Sequence, residues 1–364
     1  MGLQIGIVGL PNVGKSTLFN ALTKSKGAQM ANYPFCTIEP NVRVVEVPDT
    51  RLDELAKVVH PEKVIPAIIE FVDIAGLVKG AASGEGLGNK FLANIRQCDA
   101  ILQVVRAFEN KDIQHVSEVV DPKSDIEVIN TELILADLDT VQKKLGELEK
   151  KARANDKEAV LKRDAVKKVE EGLSQEKMAI DLELSKEEKE LIKDLHLLTN
   201  KPVLYACNVA EDQIATVDIE TLRAKLGVGP TTKIIPVSAK VEQELNELSA
   251  EEAQAFLEDL GLKESTLNAM IREAYDLLGL QTYFTAGVKE VRAWTIHKGW
   301  KGPQAAGVIH TDFEKGFIRA EICSWKDFVE LGGESKCRDA GKLRSEGKEY
   351  VMKDGDVVHF LFNN

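Results

Sequence analysis

The chain of 364 residues has no apolar run long enough to span a bilayer. It also lacks, after Met1, the basic segment and apolar stretch of a signal peptide, and Gly6 breaks the myristoylation pattern that Met1-Gly2 would open. No membrane association is therefore expected. Its five cysteines, Cys36, Cys98, Cys207, Cys323 and Cys337, are odd in number, scattered, and form no CxxC pair. That argues against a disulfide framework or a zinc site and fits a reducing compartment, so the expected location is the cytoplasm. None of the six histidines (His60, His115, His196, His297, His310, His359) stands in HExxH or another paired ligand spacing, which disfavours a zinc hydrolase. Bases are in deficit, with a formal net charge of −12. Overall attraction to nucleic acid and sequence readout of DNA are not expected, although a local basic face is compatible with that total. Trp294, Trp300 and Trp325 fall in no RNA-recognition pattern and are read as packing residues.

What is present is the composition of a soluble globular protein of two or three domains, 44% hydrophobic and 29% charged. Apolar runs of strand length occur at 3–8, 67–74, 100–105, 202–207 and 233–237, separated by helical stretches. That alternation predicts an α/β fold with a mostly parallel sheet covered on both faces. The segment from 126 to 199 interrupts it. It has no proline, carries leucines and valines at three- and four-residue steps, and is crowded with lysine in its middle. This predicts an inserted antiparallel helical hairpin of coiled-coil character, turning near 154–156. Its lysines read either as a solvated, charge-alternating face or as an RNA-contacting one. After Gly279 the texture is of short strands and glycine turns, as at Arg292 to His297, at Val357 to Phe362 and at the Asp354-Gly355 turn. The expected domains are 1–125 with 200–280, the insertion 126–199, and a small α+β domain 281–364.

Residues 9–16, GLPNVGKS, satisfy GxxxxGK[ST] between a predicted strand and a predicted helix. In that context the glycines let backbone N–H groups point at phosphate oxygens, and the helix adds its positive end. Asn12, Val13, Gly14, Lys15, Ser16 and Thr17 are the expected phosphate-binding residues. Lys15 would reach the β- and γ-phosphates of a nucleoside triphosphate, and Ser16 would ligate Mg²⁺. Asp73-Ile-Ala-Gly76 ends a second apolar strand. Asp73 is placed to hold Mg²⁺ through water, and Gly76 to approach the γ-phosphate.

The P-loop GLPNVGKSTLFNALT (9–23), the segment NYPFCT (32–37) and the stretch DIAGLVKGAASGEGLGNKFL (73–92) resemble the translation-factor-like GTPases of the Obg superfamily. The helical insertion and a C-terminal segment similar to a TGS β-grasp domain narrow the resemblance to the YchF subfamily of Obg-like P-loop NTPases. The resemblance implies that Thr37 closes over Mg²⁺ and the γ-phosphate and that Ser238-Ala239-Lys240 touches the base. It also implies a ribosome or RNA partner. Asn12 matches the asparagine with which related GTPases hold a monovalent cation, so potassium is expected to stimulate turnover.

Two departures from the GTPase pattern carry the mechanism. Asn-Lys-x-Asp, which reads guanine, is replaced by Asn208-Val209-Ala210-Glu211. Asn208 can still meet N7, common to both purines, but Val209 supplies no lysine, and the Glu211 carboxylate is one methylene further out and need not reach the guanine edge. Loss of a paired contact a site is built around can cost orders of magnitude in selectivity. In the subfamily this change accompanies ATP use, so an ATPase preferring ATP over GTP is expected. The second departure is Leu77, where Ras-like enzymes place a water-orienting glutamine. Hydrolysis is then slow unless another group orients the water. His115 is the candidate, with Glu109, Asn110 and Gln114 as rivals in the same polar loop. The alternatives are an Obg-type GTPase, a nucleotide-gated binding module with negligible hydrolysis, and a small-molecule kinase. The kinase reading lacks an arginine-bearing lid and would be separated by product analysis.

Overall fold

The computed structural model describes residues 3–24, 41–74, 87–109, 120–153 and 156–363. Strand β1 (Gln4–Val8) is buried at every residue after Gln4, as a central strand with helices on both faces must be. The chain continues through α1 (Lys15–Lys24), β2 (Val42–Glu46), α2 (Thr50–Val59), β3 (Lys63–Ile65), β4 (Ile68–Asp73), α3 (Leu87–Gln97) and β5 (Ala100–Arg106). After the insertion come β6 (Val203–Asn208), α7 (Ile219–Leu226), β7 (Lys233–Val237), α8 (Ala239–Leu245), α9 (Ala250–Asp259) and α10 (Thr266–Leu277), counting the insertion's helices as α4 to α6. The first sheet has the order β2-β4-β1-β5-β6-β7. Every neighbouring pair is parallel except β2 with β4. From β1 the chain crosses to one side and later to the other, so the order reverses beside β1. In an open α/β sheet that reversal opens a crevice at the carboxyl ends of the strands.

The insertion is α4 (Pro122–Ala152), α5 (Lys157–Ser174) and α6 (Lys186–Ile192), a hairpin with a third short helix. Helix α4 begins at Pro122, earlier than position 126, because Asp121 caps it. That carboxylate accepts from the N–H groups of Lys123 (3.1 Å) and Ser124 (3.3 Å), with proline in the first turn. Val141, Leu148, Val166, Val169, Leu173 and Ile192 give the insertion a core of its own. Several of its bases are already matched by acids: Lys143 with Asp139 (2.6 Å), Lys162 with Asp194 (2.7 Å), Arg163 with Asp164 (2.6 Å) and Lys168 with Glu188. These pairs are the alternation of charge that the solvated reading expects.

The C-terminal region contains β8 (Leu280–Ala286), β9 (Glu290–His297), α11 (Gly302–Ile309), α12 (Thr311–Lys315), β10 (Phe317–Ser324), α13 (Trp325–Leu331), α14 (Glu334–Asp339), β11 (Arg344–Glu346) and β12 (Asp356–Phe362). Its sheet, β11-β10-β12-β8-β9-β3, takes its last strand from the first domain: Lys63–Ile65 pairs in parallel with Glu290–Arg292. The main hydrophobic core likewise runs on from Ile5, Phe71 and Leu102 through Met270 and Ala274 to Phe284, Val291 and Phe328. Arg51 at the start of α2 bonds Asp354 across the same junction (2.6 Å). The C-terminal region is thus packed into the nucleotide domain rather than tethered to it. Trp294 and Trp300 pack against the C-terminal core and Trp325 against the main one, so all three serve as packing residues. Cys98, Cys207, Cys323 and Cys337 are buried and free, while Cys36 lies outside the described residues. Among the described residues no helix is long and apolar enough to cross a membrane.

Candidate functional site

The loop from β1 to α1 is shaped by steric necessity. Asn12 and Gly14 take positive φ values of 65° and 98°. Asparagine tolerates that region, and glycine enters it at no cost. A Cβ on Gly9 would lie 2.8 Å from the Val104 carbonyl oxygen of β5, and one on Gly14 would strike the Asn208 amide. Val13 is buried below the loop, and Leu18 and Leu22 anchor α1 in the core. The first turn of α1 carries no acidic residue of its own to offset its positive end.

Parallel pairing of β1 with β4 sets Ile7 opposite Asp73. The two strand ends therefore bring both phosphate motifs together, and the Lys15 ammonium bonds Asp73 Oδ1. Lys15 is buried and Asp73 half-buried, whereas Ser16 on the first turn of α1 is exposed. The Ser16 hydroxyl and the Asp73 carboxylate are hard oxygen donors of the kind that suit Mg²⁺. Lys15 would exchange its carboxylate partner for phosphate oxygens, which offer it equally charged acceptors. The residues present thus fit a Mg²⁺–triphosphate.

The other end of the crevice is assembled from the loops after β6 and β7. Asn208 ends β6, and both ends of its amide are held by backbone. Nδ2 donates to the Val13 carbonyl (2.9 Å), and Oδ1 accepts from Ala239 N–H (3.1 Å). One amide thereby ties the phosphate loop to the start of α8 and keeps one Nδ2 hydrogen for a ligand. Val209 is buried and donates its N–H to the Val237 carbonyl (2.9 Å). Ser238 caps α8, its hydroxyl oxygen accepting from Val241 N–H (3.5 Å). Glu211 accepts from the Lys240 ammonium at 2.6 Å, and that contact raises the Lys240 pKa above the ordinary lysine value.

Between the two ends lies a cavity of about 870 Å³, within the usual span for small-molecule sites. Asn12, Gly14, Thr17, Asn208, Val209, Glu211, Ser238, Ala239 and Lys240 line it, all of them sequence candidates. Val13, Lys15, Ser16 and Asp73 adjoin it through the loop and strand just described. Thr37, Gly76, Leu77 and His115, together with Asn110 and Gln114, lie outside the described residues. Glu109 lines the cavity.

Phe108, Gln243 and Leu260 also line the cavity and were not foreseen as lining residues. Phe108 follows the buried Arg106, whose guanidinium lies 4.9 Å from its ring and whose Nε donates to its carbonyl (3.1 Å). The apolar run 100–105 carried no sign that an arginine would extend the strand. Gln243 and Leu260 belong to α8 and to the end of α9, which no motif marks.

The family model described as "50S ribosome-binding GTPase" matches residues 4–144, and the YchF-GTPase C-terminal model, described as a protein of unknown function, matches 280–363. The chain is 55% identical over 366 residues to the "Ribosome-binding ATPase YchF" of Bacillus subtilis, covering 100% of both chains. It is 54% identical to the protein of the same name from Haemophilus influenzae, again with 100% of each covered. Among solved structures, "Structure of the Schizosaccharomyces pombe YchF GTPase" superposes with a TM-score of 0.88 at 42% identity, covering 99% of this chain and 98% of that one.

Proposed function

From a chain that belongs to the YchF family of Obg-like P-loop NTPases, we infer a ribosome-binding ATPase that hydrolyses Mg²⁺-ATP to ADP and phosphate in the cytoplasm. The bacterial relatives named above are called ribosome-binding ATPases, and the correspondence runs the full length of both chains. The preference for ATP over GTP rests chiefly on one observation, the base end of the cavity. There a buried Val209 stands where guanine readers place lysine, and the only carboxylate of that loop's Asn-x-x-Glu is engaged with Lys240.

In this reading Lys15 leaves Asp73 for the β- and γ-phosphates. Ser16 and Thr37 would hold Mg²⁺, with Asp73 acting on it through water, and Gly76 would approach the γ-phosphate. When bound, Mg²⁺ supplies neutralisation of the charge gathering on the transferred phosphoryl group. His115 orients the attacking water in place of the residue missing at Leu77, and Asn12 would hold a potassium ion that adds positive charge beside the phosphates. The protein is then a slow nucleotide switch, with the helical insertion and the TGS-like C-terminal region as its ribosome- or RNA-facing parts. The competing reading is a GTPase, favoured by the names of the yeast structure and of the first-domain family model. Competition between ATP and GTP for a bound fluorescent nucleotide decides between them: tighter ATP binding is expected, and a clear preference for GTP overturns the ATPase reading. Co-sedimentation with ribosomes through sucrose, with and without a nonhydrolysable ATP analogue, tests the partner. Absence of co-migration in both conditions refutes it.

A further inference from the structure

We propose that Lys240 is a positioning residue for base choice, holding the Glu211 carboxylate toward α8 and off the edge on which guanine would be read. The proposal deepens the ATP reading above and rests on it. Guanine presents two donors on that edge, N1–H and the 2-amino group, and a carboxylate satisfies both only if both its oxygens face the base. Adenine presents an acceptor at N1 and no amino group at C2, so it asks nothing of a carboxylate there.

In this structure Glu211 Oε2 accepts from the Lys240 ammonium at 2.6 Å, and both residues line the cavity that Asn208 and Ala239 border. To be read by Glu211, a bound guanine would have to break that pair or donate only a single hydrogen bond to it. The geometry is supported from both sides. Glu244, one turn along α8, lies 3.7 Å from the same ammonium and draws it over the helix. Lys240 also stands in the first turn of α8, where the helix end is already positive. A cation is disfavoured there unless a carboxylate answers it, and Glu211 is that carboxylate. Asn208 cannot swing to restore a second guanine contact, because backbone groups hold both ends of its amide. The lysine side chain is 67% exposed and its partner 32%, so the pair acts by direction more than by strength. Its effect on selectivity is accordingly moderate, and it is an obstacle to the wrong base rather than a grip on the right one.

Affinities for ATP and GTP are measured by displacement of a fluorescent nucleotide from the full-length wild type, Lys240→Met, Lys240→Arg, Glu211→Gln and the Lys240→Met/Glu211→Gln double variant. The wild type alone judges the reading beneath the proposal, since a GTP preference there defeats the ATPase assignment whatever Lys240 does. With ATP preferred by the wild type, Lys240→Met is expected to move the affinity ratio toward GTP by about two- to fivefold, the range of an exposed ion pair. Lys240→Arg should keep the wild-type ratio. In the Glu211→Gln background, removing the lysine should change nothing further, because no carboxylate remains to be held. A ratio unchanged in Lys240→Met overturns the proposal. So does an equal loss of both nucleotides, which would make Lys240 a general binding residue.

Discussion

The two ends of the nucleotide cavity recognise by different means. At the phosphate end the backbone does the work: Gly9 and Gly14 are fixed by the Val104 carbonyl and the Asn208 amide, and Asn12 and Gly14 by positive φ. There is no spare room for another residue type, so the motif appears unaltered. At the proposed base end, recognition would be left to side chains on the loops after β6 and β7. Glu211 is partly and Lys240 largely exposed there, so a replacement at either finds room. Such a loop can change its nucleobase without touching the machinery that holds the phosphates, because Glu211 and Lys240 bond each other while the Asn208 amide ties the phosphate loop to α8. A P-loop therefore establishes that a triphosphate binds, and the purine has to be argued from other residues.

The sharpest test of this division is Lys15→Ala. Loss of a charge-assisted contact to phosphate should weaken ATP and GTP alike, by about 10- to 100-fold, in the displacement assay. If the loss fell on one nucleotide only, the two ends would not be independent. Next in size, Asp73→Asn should raise the Mg²⁺ concentration needed for half-maximal hydrolysis by about tenfold, as changes to outer-shell partners of a metal do. The ATP-to-GTP ratio should stay as in the wild type. A changed ratio would show that the metal side of the site reads the base.

Legibility in the sequence follows the same division. The P-loop and Asp73 could be read because each motif sits at the end of an apolar strand, and the parallel register of β1 with β4 places one beside the other. Val209 and Glu211 could be read as departures because the pattern they depart from is short and local. Leu260 and Gln243 reach the cavity only through the packing of α8 and α9, which no local signal encodes. Strand β3 was missed for a related reason. Three residues, Lys63, Val64 and Ile65, become a strand because Glu290–Arg292 offers them an edge from a distant part of the chain. The absence of proline revealed a helical insertion, but not how its two ends are held together. That is done by the buried Asp137, which accepts from Leu198 N–H, Thr199 N–H and the Thr199 hydroxyl at 2.7–3.0 Å. Contacts of such sequence separation leave no periodic trace.

Within the phosphate end the comparison divides again, between holding the nucleotide and cutting it. His115→Ala should leave ATP affinity nearly unchanged and reduce single-turnover hydrolysis at least about tenfold, the low end for one positioned group. An unchanged rate would hand the role to Glu109, Asn110, Gln114 or a partner acting in trans. A fall in affinity of the same size as the fall in rate would place His115 in binding instead.

The smallest expected effect concerns Asn12, where backbone and side chain offer rival explanations of one residue. Its φ of 65° accounts for asparagine as a turn residue with no ion involved. Its position lining the cavity accounts for it as an oxygen ligand to potassium beside the phosphates, where added positive charge would favour a transition state gathering negative charge. The two accounts separate in Asn12→Gly, which keeps the left-handed backbone and removes the side-chain oxygen. With the ligand account, wild-type hydrolysis runs a few-fold faster in potassium than in sodium at matched ionic strength, and Asn12→Gly runs equally in both while still binding ATP. Equal wild-type rates in the two salts would leave Asn12 to the turn alone. Stimulation surviving in Asn12→Gly would move the ion elsewhere. Either result would take the Asn12 side chain out of the phosphate end and would make the contrast with the base end sharper still.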